Sequence, residues 1–348
     1  MHPLVHAWAK DRQNSDQQAR SWLNAGGIIA LSNLQSSLFQ WYFQRMLRPH
    51  LHSLLAGDLA GAFSGGPEEM ILWILFRCGQ ILLQILADAE LVELLNHVFQ
   101  EYKADPMIPT PLSKLLPFYR LSANHCLNTG RYEEASGLLE RIVKIGNTML
   151  PPGHPDRLSS QHDLARAYRR VKRLEEAYEL EREVAETMEG TLGPNDPSTL
   201  MSETELALIL GDRGDYEEAE KVCRRILAVS RRAFGVRHPN TLTTMAALAS
   251  MLLSQKKLEE AEELNEKILE MRKMLLGAKH PDTLASMANL ALTFEHQGRK
   301  TEAVELMMEC TQLQELVLGA EHPDTLASSA NLQSLFNTKA ERPRLSSI

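Results

Sequence analysis

Through the last two-thirds of the chain, apolar positions keep a helical spacing that breaks and restarts at regular intervals. Leu284, Met287, Leu290, Ala291 and Phe294 fall on one helical face. Leu258, Ala261, Leu264, Ile268, Leu269 and Leu275 form a second stripe of the same kind. Short breaks such as Gly298, or Gly214 with Asp215, separate one stripe from the next. Nothing alternates with a period of two, so no strands are predicted there. The unit that repeats is helix A, a tight turn, helix B and a loop.

The interval is 42 residues, set by Pro155, Pro197, Pro239, Pro281 and Pro323. The loop reads GVRHPNTL from Gly235, GAKHPDTL from Gly277 and GAEHPDTL from Gly319, with GPNDPSTL and PPGHPDRL as earlier copies. A second marker keeps the same step: Ala135, Ala177, Ala219, Ala261 and Ala303. The phrase predicts a left-handed glycine after helix B and a proline that cannot continue that helix. The residue after the proline, as in Asp282 or Asn240, is expected to cap the next helix, and Asp215 with Glu218 to form a capping box. The recurring His154, His238, His280 and His322 are expected to bridge adjacent repeats by hydrogen bonds.

Ala165, Ala207, Ala249 and Ala291 precede the helix B alanines by 12 residues, which lets antiparallel helices approach at the close end of the 8–10 Å range. One such pair cannot bury both of its apolar faces, so neighbours must stack. The region before the repeats differs in character, with all four tryptophans at Trp8, Trp22, Trp41 and Trp73. Helices are predicted over Gln17–Ser32, Leu38–Leu55, Glu68–Ala87 and Ala89–Tyr102, with Pro106, Pro109, Pro111 and Pro117 at the border. The expected organisation is an N-terminal helical region at 1–110, a repeat array at 112–337 and a frayed tail at 338–348.

Leu290-Ala291, Gly298 and Glu302-Ala303 together resemble a tetratricopeptide repeat. The 42-residue length and HPDTL loop are closer to the kinesin-light-chain subtype than to the common 34-residue unit. The resemblance implies an all-α fold, a right-handed α-α superhelix of antiparallel helix pairs. The paired asparagines of that subtype are reduced here to Asn289 and Asn331, with Asp163, Glu205 and Ala247 at the earlier positions. The opening HPLVHAWAKDR and the stretch RLSSQHDLARAY from Arg157 resemble fungal proteins in which a switch domain of NB-ARC or NACHT type precedes light-chain-like repeats. That resemblance implies that the chain is the C-terminal sensor portion of such a signalling protein. A light-chain-like cargo adaptor is the alternative, but residues 1–110 carry no sustained heptads of the kind such adaptors use.

Composition narrows the chemistry. The 348 residues carry 37 basic and 45 acidic side chains, a net charge of −8, which argues against general affinity for nucleic acid. Four scattered cysteines fit neither a disulfide framework nor a zinc knuckle, and suit a reducing cytoplasm. The segment from Met70 to Ala87 approaches membrane-span length, but Arg77, Gly79, Gln80 and Gln84 interrupt it and predict a buried helix. No GxxxxGK[S/T] loop occurs to cradle phosphates, and no GxSxG elbow marks a nucleophile. No cofactor, metal or catalytic role is expected. Paired glutamates such as Glu175-Glu176 suit the positive end of helix B.

The resemblance places the second, fifth and ninth residues of each helix A along a concave surface. Its lining would run from Ser159, His162 and Arg166 through Met201, Thr204 and Leu208 to Thr243, Ala246 and Ser250. It would continue through Ala285, Ala288 and Leu292 to Ala327, Ala330 and Ser334. Asn289 and Asn331, one position further on, would meet a peptide backbone or satisfy the solenoid itself. Arg166, Arg169, Arg170, Lys172 and Arg173 form the densest basic cluster, a solvated helix end or a patch for an acidic peptide. The expected ligand is a peptide or protein held in this groove. The helix Asp324–Asn337 either caps the array or exposes an apolar edge, and its Leu332, Leu335 and Phe336 suggest partial exposure or self-association.

Overall fold

The computed structural model describes residues 14–32, 40–56, 63, 66–109 and 113–337. The HPLVH opening and the 338–348 tail lie outside the described residues. Those residues form fifteen α-helices, one short 3₁₀ turn and no strand. They divide into two compact units, 1–150 and 151–348.

The first unit contains α1 (Ser15–Ser32), α2 (Gln40–Leu55), α3 (Glu68–Gln84), α4 (Asp88–Glu101), α5 (Leu116–Asn128) and α6 (Tyr132–Met149). Its central element is α3, whose Ile71, Ile74, Leu75, Cys78, Ile81 and Leu82 are buried. It packs against α1, α2, α4 and α5. No helix among the described residues is long and apolar enough to cross a membrane. The helix predicted to reach Ala87 stops at Gln84, because Leu86 turns the chain at φ 56° into α4. Two side-chain ties join distant segments: the Trp22 indole N–H donates to the Leu54 carbonyl at 3.0 Å, and the Tyr119 hydroxyl donates to Asp105 O at 3.0 Å.

The second unit contains α7 (Pro155–Arg170), α8 (Leu174–Leu192), α9 (Pro197–Arg213), α10 (Tyr216–Phe234) and α11 (Pro239–Ser254). It continues with α12 (Leu258–Leu276), α13 (Pro281–His296), α14 (Lys300–Leu318) and α15 (Pro323–Asn337). These are four A–B pairs and a final helix A. α9, α11 and α13 each pack on their own helix B and on the helix B before it, and α15 packs on α14, which buries both apolar stripes. The two alanine rows sit at these crossings: Ala165, Ala207, Ala291, Ala177, Ala219, Ala261 and Ala303 have no exposed surface.

The loop phrase has a mechanical role at nearly every position. Gly193, Gly235, Gly277 and Gly319 take φ of 86–93° with ψ of 160–165°. This is an extended, positive-φ conformation open essentially to glycine alone, not the left-handed helical cap predicted. The cap belongs to the residue before the proline. Nδ1 of His154, His238, His280 and His322 accepts the backbone N–H two residues on, at 3.0–3.2 Å, and Asp196 accepts from Ser198 at 2.8 Å. Proline then occupies the first helical turn, where its missing N–H costs nothing. Thr241 and Thr283 pin the glycine carbonyl behind them at 2.9 Å.

Those contacts correct three expectations. Each loop histidine closes its own helix, where a bridge between repeats was expected. Asp282 and Asn240 supply the N–H that is capped; Asn240 instead reaches the previous repeat, donating from Nδ2 to Pro197 O at 3.2 Å. Asp215 makes no side-chain cap, so no capping box forms. Repeats are also clamped at the opposite edge. Gln255 and Lys257 both donate to Glu220 at 2.7 Å, and Gln297 with Arg299 holds Glu262 in the next copy.

Candidate functional site

Successive A helices (α7, α9, α11, α13 and α15) pack directly on one another, whereas no comparable packing joins successive B helices among the described residues. A layer drawn closer together than the layer behind it curves inward, so the A face is the concave one. Met201, Thr243, Ser250, Ala327, Ala330 and Ser334 are exposed on it. Ser159, Arg166, Arg169, Leu208, Ala246, Ala285, Ala288, Asn289, Leu292 and Asn331 are half-buried. His162 and Thr204 are buried.

The two buried candidates are committed to partners inside the array. Thr204 donates to Leu200 O at 2.7 Å and meets the Thr244 hydroxyl at 3.0 Å, which ties α9 to α11. His162 Nδ1 lies 2.8 Å from Glu181 Oε1 on α8, and Ser202 of α9 donates to that same oxygen at 2.5 Å. Glu181 has no exposed surface, and its Oε2 has no hydrogen-bond partner. Burial pushes the Glu181 carboxyl above its usual range, although His162 and Ser202 pull the other way. Burial also opposes protonation of the His162 ring, but the neighbouring Glu181 carboxylate outweighs it and His162 stands above its ordinary value.

Beside this pair the basic stretch is internally neutralised. Arg169 Nε donates to Glu205 at 2.6 Å and its Nη1 to Asp212 at 3.4 Å, while Arg166 donates to Asp163 at 3.4 Å. Lys172 lies 3.6 Å from Asp212, and Arg173 bonds Glu176 and stacks 4.0 Å above the Tyr168 ring. Burial works to raise Glu205, yet Arg169, Arg166 and His162 hold it below the carboxylate range. The α7 end of the face is therefore an ionic floor joining α7 to α9, neither a free basic patch nor a simply solvated helix end. Towards α13 and α15 the face is small and apolar, with Asn289 and Asn331 set among alanines. At Arg272 the same logic is used behind the face: its guanidinium donates to Asp282 O and to Ser286, both at 2.9 Å.

Glu181, Ser202 and Asp212 are neighbours of the candidate face that the motif reading passed over, while Glu205 stands in it only at an asparagine position. A signal for Glu181 exists in the stripe Ala177, Glu181, Val184, Ala185, Met188, where one carboxylate interrupts an apolar row. The same register holds Cys223, Asn265 and Met307 in later repeats, all buried. Asn265 donates to Thr293 at 3.0 Å, so a polar residue here pairs with the following helix A. All four cysteines are buried and unpaired; burial pushes Cys78 and Cys223 up to about 12 and Cys310 to about 11. No group of three or more metal-ligating side chains occurs among the described residues.

Among solved structures, NprR in complex with its cognate peptide NprX is similar, with a TM-score of 0.61, 15% identity, and coverage of 96% of this chain and 86% of that one. The Rap protein complexed with Competence and Sporulation Factor has a TM-score of 0.60 at 13% identity, covering 89% and 88%. A Podosopora anserina protein described as a kinesin light chain with nearly identical TPR-like repeats is 33% identical, covering 56% of this chain and 92% of that one, with a TM-score of 0.45. No curated protein matches the chain. The family model for the tetratricopeptide repeat matches residues 117–190, 196–274 and 245–315, more than half of the chain. With its all-helical pairs, its 42-residue step and that match, the chain belongs to the tetratricopeptide repeat family.

Proposed function

We propose that the second unit is a non-enzymatic interaction scaffold that holds a peptide or protein segment on its A-helix face. The observation that carries this is the character of the face from α9 to α15. Ala246, Ala288 and Ala330 leave the backbone ridge open, and Met201, Leu208 and Leu292 offer apolar contact beside the amides of Asn289 and Asn331. Support comes from the fold: NprR, built on a similar one, was solved with its cognate peptide. Ser159, His162, Arg166, Arg169, Thr204 and Ser250 complete the proposed lining. His162, Arg169 and Thr204 act as its rigid floor.

The test is to select peptides from a displayed library against the chain and measure their binding by fluorescence anisotropy. Leu208→Arg combined with Leu292→Arg is expected to weaken them at least ten-fold with the helical content unchanged. Selected peptides that bind this variant as well as the original would overturn the groove reading.

The finer reading is that the array is the sensor portion of a fungal switch protein of NB-ARC or NACHT type. The HPLVHAWAKDR and RLSSQHDLARAY stretches support it. Sequencing the transcript upstream of Met1 tests it, and a message encoding no switch domain there would remove it.

A further inference from the structure

Among the described residues, fifteen of the twenty-two lysines and arginines of the second unit are engaged. Arg166, Arg169, Lys172, Arg173, Arg182, Arg213, Lys221, Arg224, Arg225, Lys257, Lys267 and Arg299 each lie within an ion pair. Arg272 is bonded to Asp282 O and Ser286, and Arg157 and Arg170 have partners as well. Among the described residues, five of the cations left over collect in one place: Arg231, Arg232, Arg237, Lys273 and Lys279, all exposed. The others, Lys256 and Lys300, lie at the opposite edge, in the turn before α12 and at the start of α14.

Four of the five occupy equivalent positions in two consecutive repeats, Arg231 with Lys273 and Arg237 with Lys279, and Arg232 stands where the next repeat has Met274. Arg231 and Arg232 end α10 and Lys273 ends α12, while Arg237 and Lys279 lie in the loops that follow. All five therefore lie on one edge of the array, at B-helix C-termini and the loops after them, where consecutive repeats meet as in the Asn240 Nδ2 to Pro197 O hydrogen bond at 3.2 Å. Exposed Val236 and Met274 stand among the cations, at 37% and 54% exposure.

A helix C-terminus favours a cation through its dipole, but that does not account for the cluster. The matching turns of α8 and α14 carry Glu189 and Glu315, and the matching loops carry Asn195 and Glu321. The fold therefore tolerates either charge here, and only the two central repeats are basic. Glu270 on α12 and Asp282 at the start of α13 are the nearest acidic groups on these elements, and neither pairs with any of the five.

We infer that this loop edge docks a short acidic segment of a partner protein carrying an apolar side chain among its carboxylates. Two stacked repeats span about 20 Å at the usual helix-packing spacing, the reach of a short peptide. Glu189 on one flank, with Glu315 and Glu321 on the other, would repel a longer polyanion such as a nucleic acid, or a flat anionic membrane. Val236 and Met274 favour a segment with an apolar anchor over a run of charge alone. The five cations sit at B-helix ends and in the loops after them, whereas Leu208 and Leu292 sit well inside A helices, so variants of each can be compared separately.

The experiment uses the full chain and three probes: a fluorescein-labelled ten-residue peptide alternating glutamate with leucine, a ten-residue oligoglutamate, and vesicles of phosphatidylserine and phosphatidylcholine. The mixed peptide is expected to bind by anisotropy at 50 mM salt at least five-fold more tightly than oligoglutamate, weakening as salt rises. Arg231→Glu, Arg237→Glu and Lys279→Glu together should weaken it at least ten-fold. Lys256→Glu with Lys300→Glu at the other edge, and the groove pair Leu208→Arg with Leu292→Arg, should change it less than two-fold. No binding by the unaltered chain, equal binding by the triple variant, loss of binding in either control variant, or preference for vesicles or oligoglutamate would each overturn the assignment.

Discussion

Removing His162 isolates the energetics of a charge held inside the array. In His162→Ala, Glu181 keeps no exposed surface and loses the ring that lay 2.8 Å from Oε1, while Oε2 already has no partner. Breaking a buried pair from one side costs about 3–5 kcal/mol, because the remaining charge is left uncompensated. The double variant His162→Ala/Glu181→Met copies what the α13–α14 pair already carries at the same registers, Ala288 and Met307. It should recover most of that loss and lie within about 1.5 kcal/mol of the unaltered chain, since apolar replacement of a buried pair is often neutral.

The pH dependence has a definite sign. Glu181 stands above its ordinary value in the folded chain, and removing His162 takes away an influence that lowered it. A carboxyl whose folded value is raised contributes stability at low pH and loses it as pH rises through that value. His162→Ala should therefore move away from the unaltered chain as pH rises from 4.5 to 6.5, above which the unaltered chain also begins to lose the stability its raised His162 contributes. The double variant should show no such trend. Urea unfolding followed by circular dichroism measures the cost. Hydrogen exchange locates it, because repeat stability is largely a nearest-neighbour property and the loss should concentrate in α7, α8 and α9. A cost below about 1 kcal/mol at about pH 6.5, or a double variant as unstable as the single one, would refute the buried-charge reasoning.

Other consequences can be measured on the same samples. His238→Asp, which copies Asp196 of the preceding repeat, should keep the α11 cap but change its acid response. Burial lowers the His238 value, so its cap is present above its ordinary value near 6.5 and lost as pH falls through the folded one; the aspartate variant should hold stability from pH 7 to 5. Gly277→Ala should lose about 1–3 kcal/mol because an alanine must enter the φ 89°, ψ 162° conformation, measurable as a lower urea midpoint. By contrast, Gly137→Ala lies inside α6 with nothing within 4 Å of the new methyl and should gain about 0.5–1 kcal/mol. All four thiols should resist an aqueous disulfide reagent in the folded chain and react together in denaturant, since each is buried and Cys78 and Cys223 titrate only near 12.

Local chemistry was legible because its causes are local. A glycine, a proline and a capping side chain act through bonds two to four residues away, so the phrase at each loop announced where helices stop and start. The assignment of the cap was still misplaced by two residues: position alone could not tell whether His280 or Asp282 faced the free N–H. Side-chain direction at the helix entry decided that. The helix predicted through Ala87 likewise ended early because the turn at Leu86 depends on what α3 and α4 pack against.

By itself the sequence determined the all-helical class, the 42-residue step, the antiparallel pairs and the rows of alanine that let them close. Repetition makes these redundant, since every copy states the same hydrophobic spacing again. Only the tertiary structure decided which charges remain free. Arg169 and Arg231 look alike in the chain, yet Arg169 is bound by Glu205 and Asp212 from the next repeat, 36 and 43 residues away. Arg231 finds no acid on its own or neighbouring turns. Charge partners across stacked repeats are separated by about one period, so pairing depends on how the helices lie against each other and not on what neighbours a residue in sequence.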